Sequence, residues 1–333
     1  MVQMPVATTI FATNSSIPEQ KLLSNSAPFP AVLKPSSSES SDKRSLLLAL
    51  EQPGGKSLLR NELARSGAVL LRGFNLDSAA DFDELVQRLD GEEFPYSVGG
   101  EATRQRVLGR VFTANDGIPL HKPIGFHNEV AYLPNSPSRI VFFCQSPAPQ
   151  EAGGSTLVAH GRTVYEKLVE SGHEHFLEEL SQKGVRYSKK LAQGGHGSWK
   201  SMFQTDDKLE AEQRAEKVGS RIEWLDNDEA RFISNPCPGV KINPHTGEKV
   251  WFNTIAGIQV FKASAPPGSF DAYFGDCSPF PQDALDACLR ILDEEKVAFP
   301  WQKGDVLIVD NANVLHARQP SKRPRTVLVS LLK

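Results

Sequence analysis

The sequence predicts a mainly β protein, a sandwich or jelly roll with helices flanking its core, and three observations predict it. Short apolar runs bounded by turn residues recur from Gly67 to the C-terminus. The helical patterns cluster in a few places instead of separating every pair of strands, which disfavours a parallel doubly wound sheet. No internal repeat divides the chain, so one large β core is the simplest organisation.

The elements follow in order. Residues 1–43 read as an N-terminal arm whose Pro28–Leu33 stretch packs on the body and whose end, Pro35–Ser41, is a Ser-rich linker. Residues 44–333 read as a single domain. From Arg44 to Arg65 apolar residues recur at helical spacing, interrupted by Pro53-Gly54-Gly55, which predicts two short helices. Gly67–Phe74 is a glycine-bounded apolar run, hence a buried strand. Ser78–Leu89 predicts a helix with acids near its N-terminus and Phe82, Leu85, Val86 and Leu89 on one face. Strands are predicted at Arg106–Phe112, around Gly125–Ala131, at Arg139–Cys144 and at Ser155–Ala159. Helical patterns return at Thr163–Ser171, Glu174–Gln182 and Lys208–Val218. From Ile222 onward short strands and turns alternate, with a hairpin formed by Val240–Ile242 and Lys249–Asn253. Asp283–Glu295 is an amphipathic helix, and strands at Asp305–Asp310 and Thr326–Leu332 close the chain.

Composition excludes several classes. A net charge of -3 on 333 residues offers nothing to a polyanion, so a small molecule and not nucleic acid is the expected partner. Four cysteines form no CxxC pair, and Cys144 and Cys288, in apolar surroundings, read as buried thiols, which fits a reducing compartment. No apolar run approaches the ~20 residues that a membrane span needs, and the first twenty residues hold no Lys or Arg. A cytoplasmic location is expected. Oligomeric state is not legible.

The chemistry concentrates in Gly125-Phe126-His127-Asn128-Glu129-Val130-Ala131. On a strand, residues two apart share a face, so His127 and Glu129 can offer an imidazole and a carboxylate to one metal ion. His316, in the block Asp310–Arg318, is the candidate third ligand from a neighbouring strand. Two histidines and a carboxylate form the facial triad of non-haem Fe(II) oxygenases, although the same trio also suits catalytic zinc. Among the other histidines, His173 and His175 lie at a helix edge where they diverge, His245 and His196 read as loop residues, and His121 has no assigned role.

His127-Asn128-Glu129, then Gly153-Gly154-Ser155-Thr156, then Gly304–Asn311 leading to His316 with arginines behind it, occur in an order that resembles the TauD/TfdA-type family of Fe(II)/2-oxoglutarate-dependent oxygenases. The likeness is greatest to the plant clavaminate-synthase-like proteins and runs from about Pro28 to the C-terminus, taking in Gly109–Asn115, Trp251-Phe252-Asn253 and Pro300–Asp305. It implies a double-stranded β-helix core with outer helices. It implies that Fe(II) is held by His127, Glu129 and His316, that Thr156 hydrogen-bonds the co-substrate 2-oxoglutarate, and that an arginine after His316 pairs with its far carboxylate. Arg325 is the expected anchor, with Arg318 and Arg323 in reserve, because relatives often carry two adjacent arginines where this chain has Arg325-Thr326. Molecular oxygen would complete the reactants, and the substrate would be small, polar and amino-acid-like. Asn253 lies either near the substrate or in a buried hydrogen-bonding place. Trp251 and Trp301 read as core. A non-catalytic jelly-roll binding protein and a zinc hydrolase remain the alternatives.

Overall fold

A computed structural model describes residues 10–12, 14–95, 104–114, 118–195, 197–243 and 246–333. His196 and His245 lie outside the described residues. Two antiparallel-dominated sheets face each other. Their strands are β1 (Ala31–Leu33), β2 (Ala68–Leu71), β3 (Arg106–Leu108), β4 (Val111–Thr113), β5 (Ile124–His127), β6 (Arg139–Ser146), β7 (Thr156–His160), β8 (Val297–Phe299), β9 (Val306–Asp310), β10 (Val314–Arg318) and β11 (Thr326–Leu332). The seven-stranded sheet has the order β1-β2-β9-β6-β11-β4-β3, and the four-stranded sheet the order β8-β7-β10-β5. This is the expected jelly roll.

Strand β6 shows why its sequence is a continuous apolar run. Ile140, Phe142 and Cys144 point between the sheets, where they meet Val158, Phe299 and Leu307. Val141 and Phe143 point the other way, under helices Lys43–Glu51 and Ala79–Arg88, against Leu46, Phe82 and Leu85. With both faces covered, alternation has no reason to appear. Each large apolar side chain buried this way contributes roughly 1.5–3 kcal/mol. On the far side of the smaller sheet, Ala159, Leu315 and Ala317 pack on helices Gly161–Glu170, Glu174–Lys183 and Gln282–Glu295. The remaining face of β10, carrying His316 and Arg318, therefore turns inward.

The arm is tied to this body. β1 pairs in parallel with β2, Ala31 opposite Val69, and so extends the larger sheet at its edge. No helix among the described residues is long and apolar enough to cross a membrane.

Several predicted elements need correction. The run Arg106–Phe112 is a hairpin and not one strand: β3 and β4 are separated by a turn at Gly109 (φ 47°) and Arg110. The buried Asp83 carboxylate accepts from Arg110 N at 2.7 Å, and a Cβ at Gly109 would collide with that carboxylate. Pro53-Gly54-Gly55 does not interrupt the first helical region; it opens the second helix, Pro53–Ser66, with proline at its first turn, where no N–H is needed. The break falls on Gln52. Helix Ile255–Lys262 was not predicted, because its mostly apolar sequence lacks a polar face to reveal a period. The short helix Trp199–Phe203, capped by the Ser198 hydroxyl on Ser201 N, was not predicted either.

Candidate metal centre

β10 lies between β7 and β5, with His316 opposite His127 on one side and Val158 on the other. The two imidazole rings stand 4.2 Å apart between centroids. Helix Ile255–Lys262 presses on β5 so closely that a Cβ at Gly125 would meet Gly257 Cα at 2.9 Å. This contact requires glycine two residues before His127. The Gly125 carbonyl lies 2.9 Å from His127 Nδ1, which fixes that nitrogen as the protonated one and leaves Nε2 as the donor to a metal.

Glu129 is reached differently from the expectation. β5 ends at His127, and Glu129 stands in the turn that follows, with Val130 in the left-handed region at φ 57°. A β-branched residue there costs of order 1–3 kcal/mol and persists only where its surroundings over-determine it. Three fully buried asparagines supply that constraint. Asn311 accepts from Glu129 N at 2.7 Å and donates to the carbonyls of Glu129 (3.0 Å) and Pro137 (2.9 Å). Asn128 donates to the carbonyl of Asn311 at 2.7 Å and accepts from Asn253 N at 3.0 Å. Asn253 donates to Gly239 O and accepts from Ile255 N, both at 3.0 Å. Of its two predicted places, Asn253 thus occupies the buried hydrogen-bonding one.

The result brings together the three residues proposed as ligands. Glu129 Oε2 lies 3.7 Å from His127 Nε2 and 3.5 Å from His316 Nε2. Donors that each reach a metal at about 2.1 Å stand no more than ~4.2 Å apart, so both spans suit one ion. The electrostatics agree. Burial opposes ionisation of Glu129, yet the charge of Arg104 and the hydrogen bonds with His127 and His316 hold its carboxyl well below the usual range. Burial, with His127 alongside, pushes His316 down to about 4, so its imidazole is neutral and able to ligate at physiological pH. Among the described residues, no other cluster of three His, Cys, Asp or Glu side chains could hold a metal.

Thr156 faces Arg318 across β7 and β10, both on the inward face. Its hydroxyl accepts from Trp301 Nε1 at 3.0 Å, so Trp301 is core and also touches Thr156. Trp301 is placed by the buried Arg72–Asp305 pair (2.6 Å), whose guanidinium also donates to Pro300 O at 2.8 Å. Trp251 is entirely core. Arg325 is buried immediately before β11, and its Nε donates to Gly154 O at 2.8 Å, two residues from Thr156. Burial, aided by repulsion from Arg318, lowers its pKa to about 10. Arg318 spends its Nη2 on the carbonyls of Ile118 (3.2 Å), Pro119 (2.8 Å) and Lys122 (2.8 Å), bracing that loop. Arg323 and His121 are exposed; His173 and His175 stand at the start of helix Glu174–Lys183, each near an acid of its own.

Sequence reasoning missed two participants. Arg104 donates to Glu129 Oε1 at 2.7 Å, and no local pattern marks it. Asn311 was visible only as a member of the block before His316.

Comparison with known proteins points the same way. A family model described as taurine catabolism dioxygenase TauD, TfdA family matches residues 35–331. A clavaminate synthase-like protein of Arabidopsis thaliana is 39% identical over 333 residues, covering 97% of this chain and 99% of its own. The dapdiamide synthesis protein DdaC of Enterobacter agglomerans is 29% identical over 282 residues, 81% of this chain and 83% of that protein. The crystal structure of PvcB from Pseudomonas aeruginosa superposes with a TM-score of 0.54 at 17% identity, covering 96% and 94% of the two chains. Another structure of PvcB, described as an Fe, alpha-ketoglutarate dependent oxygenase from an isonitrile synthetic pathway, gives 0.52 at 14% identity with the same coverage.

Proposed function

The chain belongs to the taurine catabolism dioxygenase TauD, TfdA family, and from that premise we propose that His127, Glu129 and His316 hold the iron while Thr156 and Arg325 receive 2-oxoglutarate. The protein is a non-haem iron, 2-oxoglutarate-dependent dioxygenase. The observation that carries the residue assignment is the position of Glu129 Oε2, within 3.7 Å of both imidazole nitrogens.

Iron in that place, with 2-oxoglutarate and dioxygen, supplies an oxidant whose formation is coupled to decarboxylation of the co-substrate to succinate and carbon dioxide. The chain's own residues do the rest. Gly154 O fixes the plane of the Arg325 guanidinium, whose Nη edge would take the far carboxylate through two parallel hydrogen bonds. Because the Thr156 oxygen accepts from Trp301, its own hydrogen is set to point elsewhere, toward the co-substrate. The Phe142 ring, 5.2 Å from that of His316, keeps water from the inner side. His127 is the most exposed of the three side chains, at 20% against 7% for His316 and 8% for Glu129, so a small substrate would approach from its side.

The substrate reading is a small polar, amino-acid-like molecule that undergoes hydroxylation or a related C–H oxidation. A cytoplasmic location fits the three buried free thiols, Cys144, Cys237 and Cys288. The test is succinate release from 2-oxoglutarate with Fe(II), ascorbate and oxygen across a metabolite library. At least one amino-acid-like compound should stimulate release; no binding of 2-oxoglutarate and no succinate with any compound would contradict the reading.

A further inference from the structure

Glu129 is gripped twice, and the two grips do different work. Asn311 holds the backbone of the turn. Arg104 holds the carboxylate, and only one of its oxygens: Nη2 lies 2.7 Å from Oε1, whereas Oε2 faces His127 and His316. The pair is nearly closed to water, with side-chain exposures of 11% and 8%. Arg104 is itself anchored. The next residue, Gln105, donates from its N to Thr113 Oγ1 at 3.2 Å and accepts from Thr113 N at 2.9 Å, which fixes this strand on β4. β4 in turn pairs with β11 in the larger sheet. Glu129 follows the last strand of the smaller sheet. The ion pair therefore reaches from one sheet to the other at the metal centre.

We propose that Arg104 is a positioning residue that keeps Glu129 a single-oxygen ligand by occupying Oε1, and thereby preserves an open coordination position at the iron. A carboxylate binds metals through one oxygen or two, and a facial triad works because its opposite positions are open. A second oxygen from Glu129 would fill one of them in competition with the incoming reactants. A guanidinium on Oε1 prevents this without neutralising the carboxylate, since arginine stays charged and cannot itself ligate. Hydrogen-bond partners of a ligating group commonly change metal affinity or activity about 10- to 100-fold when removed. Here the loss should fall on the open position and not on the hold over the metal.

The inference rests on the oxygenase reading above, and the experiment separates the two. Native protein, R104K and R104Q are loaded with Mn(II) without oxygen; melting curves are recorded first. Waters on the metal are counted from EPR line broadening in 17O-enriched water, and 2-oxoglutarate affinity is measured by calorimetry. Native protein that binds no 2-oxoglutarate would sink the oxygenase reading itself. If the native protein binds it, R104Q should carry fewer waters on Mn(II) and bind 2-oxoglutarate about 10-fold more weakly or worse, with R104K intermediate. A water count and an affinity in R104Q equal to the native values would overturn the proposal. So would failure of both variants to fold, which would make Arg104 a structural residue only.

Discussion

The two ends of the inward face of β10 solve opposite electrostatic problems. At the His316 end a buried negative charge is already compensated: Arg104 and the two imidazoles surround Glu129, and its carboxyl stays ionised despite burial. At the Arg318 and Arg325 end two buried guanidiniums donate to carbonyl oxygens, burial pushes both pKa values down, and Arg318 adds to the lowering at Arg325. A centre of the first kind is formed before anything binds. The second gathers two guanidiniums on one inward face, a charge to which an incoming dianion is complementary. The difference supports the proposed placement of metal at one end and co-substrate at the other.

The largest effect should come from breaking the compensated end. E129A should lower coupled turnover by at least about 100-fold. It should also destabilise the fold, because the nearly buried ion pair with Arg104 is broken. Denaturant melts of E129A, R104Q and the double variant form a cycle in which the double variant should recover part of the loss. Strict additivity would mean that the pair does not matter.

Acid should reveal the next largest effect. Burial holds His316 and His160 at about 4, against 6.5 in an exposed histidine. As pH falls below about 6.5 the unfolded chain takes up protons that the folded one refuses, so stability declines until about pH 4 and is unaffected above 6.5. Each histidine accounts for on the order of 3 kcal/mol over that window. H160Q, in a place remote from the ligands in sequence and role, should remove roughly half of the acid sensitivity of the metal-free protein. An unchanged pH profile would show that His160 is not held neutral by burial.

Weakening the cationic end should give a smaller, more selective change. R325A should raise the KM for 2-oxoglutarate about 10- to 100-fold, the loss of charge-assisted hydrogen bonds worth about 1.5–3 kcal/mol, with metal affinity nearly unchanged. A KM at the native value would pass the anchoring role to Arg318.

Much of the fold was legible in the sequence, and the grouping of His127 with Glu129 was reached by a geometry the chain does not use. The two-apart spacing of His127 and Glu129 suggested a shared strand face, yet the strand stops at His127 and Glu129 sits in a turn. Periodicity marks which residues group together and not where the last ladder bond falls. The turn is set by Asn311, 182 residues away, and the carboxylate by Arg104 through a contact between separate sheets. Such tertiary hydrogen bonds leave no local trace. Helix Ile255–Lys262 escaped because most of its sequence is apolar, while β6 was readable for the same property, its run being short and strand-sized. The alternatives of a zinc hydrolase and a non-catalytic binding protein yield to the family match over residues 35–331.

The most direct test is a crystal structure of the protein with Mn(II) and 2-oxoglutarate, grown without oxygen. The account expects the metal on His127 Nε2, His316 Nε2 and Glu129 Oε2, with Oε1 still on Arg104 and the far carboxylate of 2-oxoglutarate on Arg325. A metal bound through both oxygens of Glu129, or a co-substrate whose far carboxylate lies away from Arg325, would contradict it.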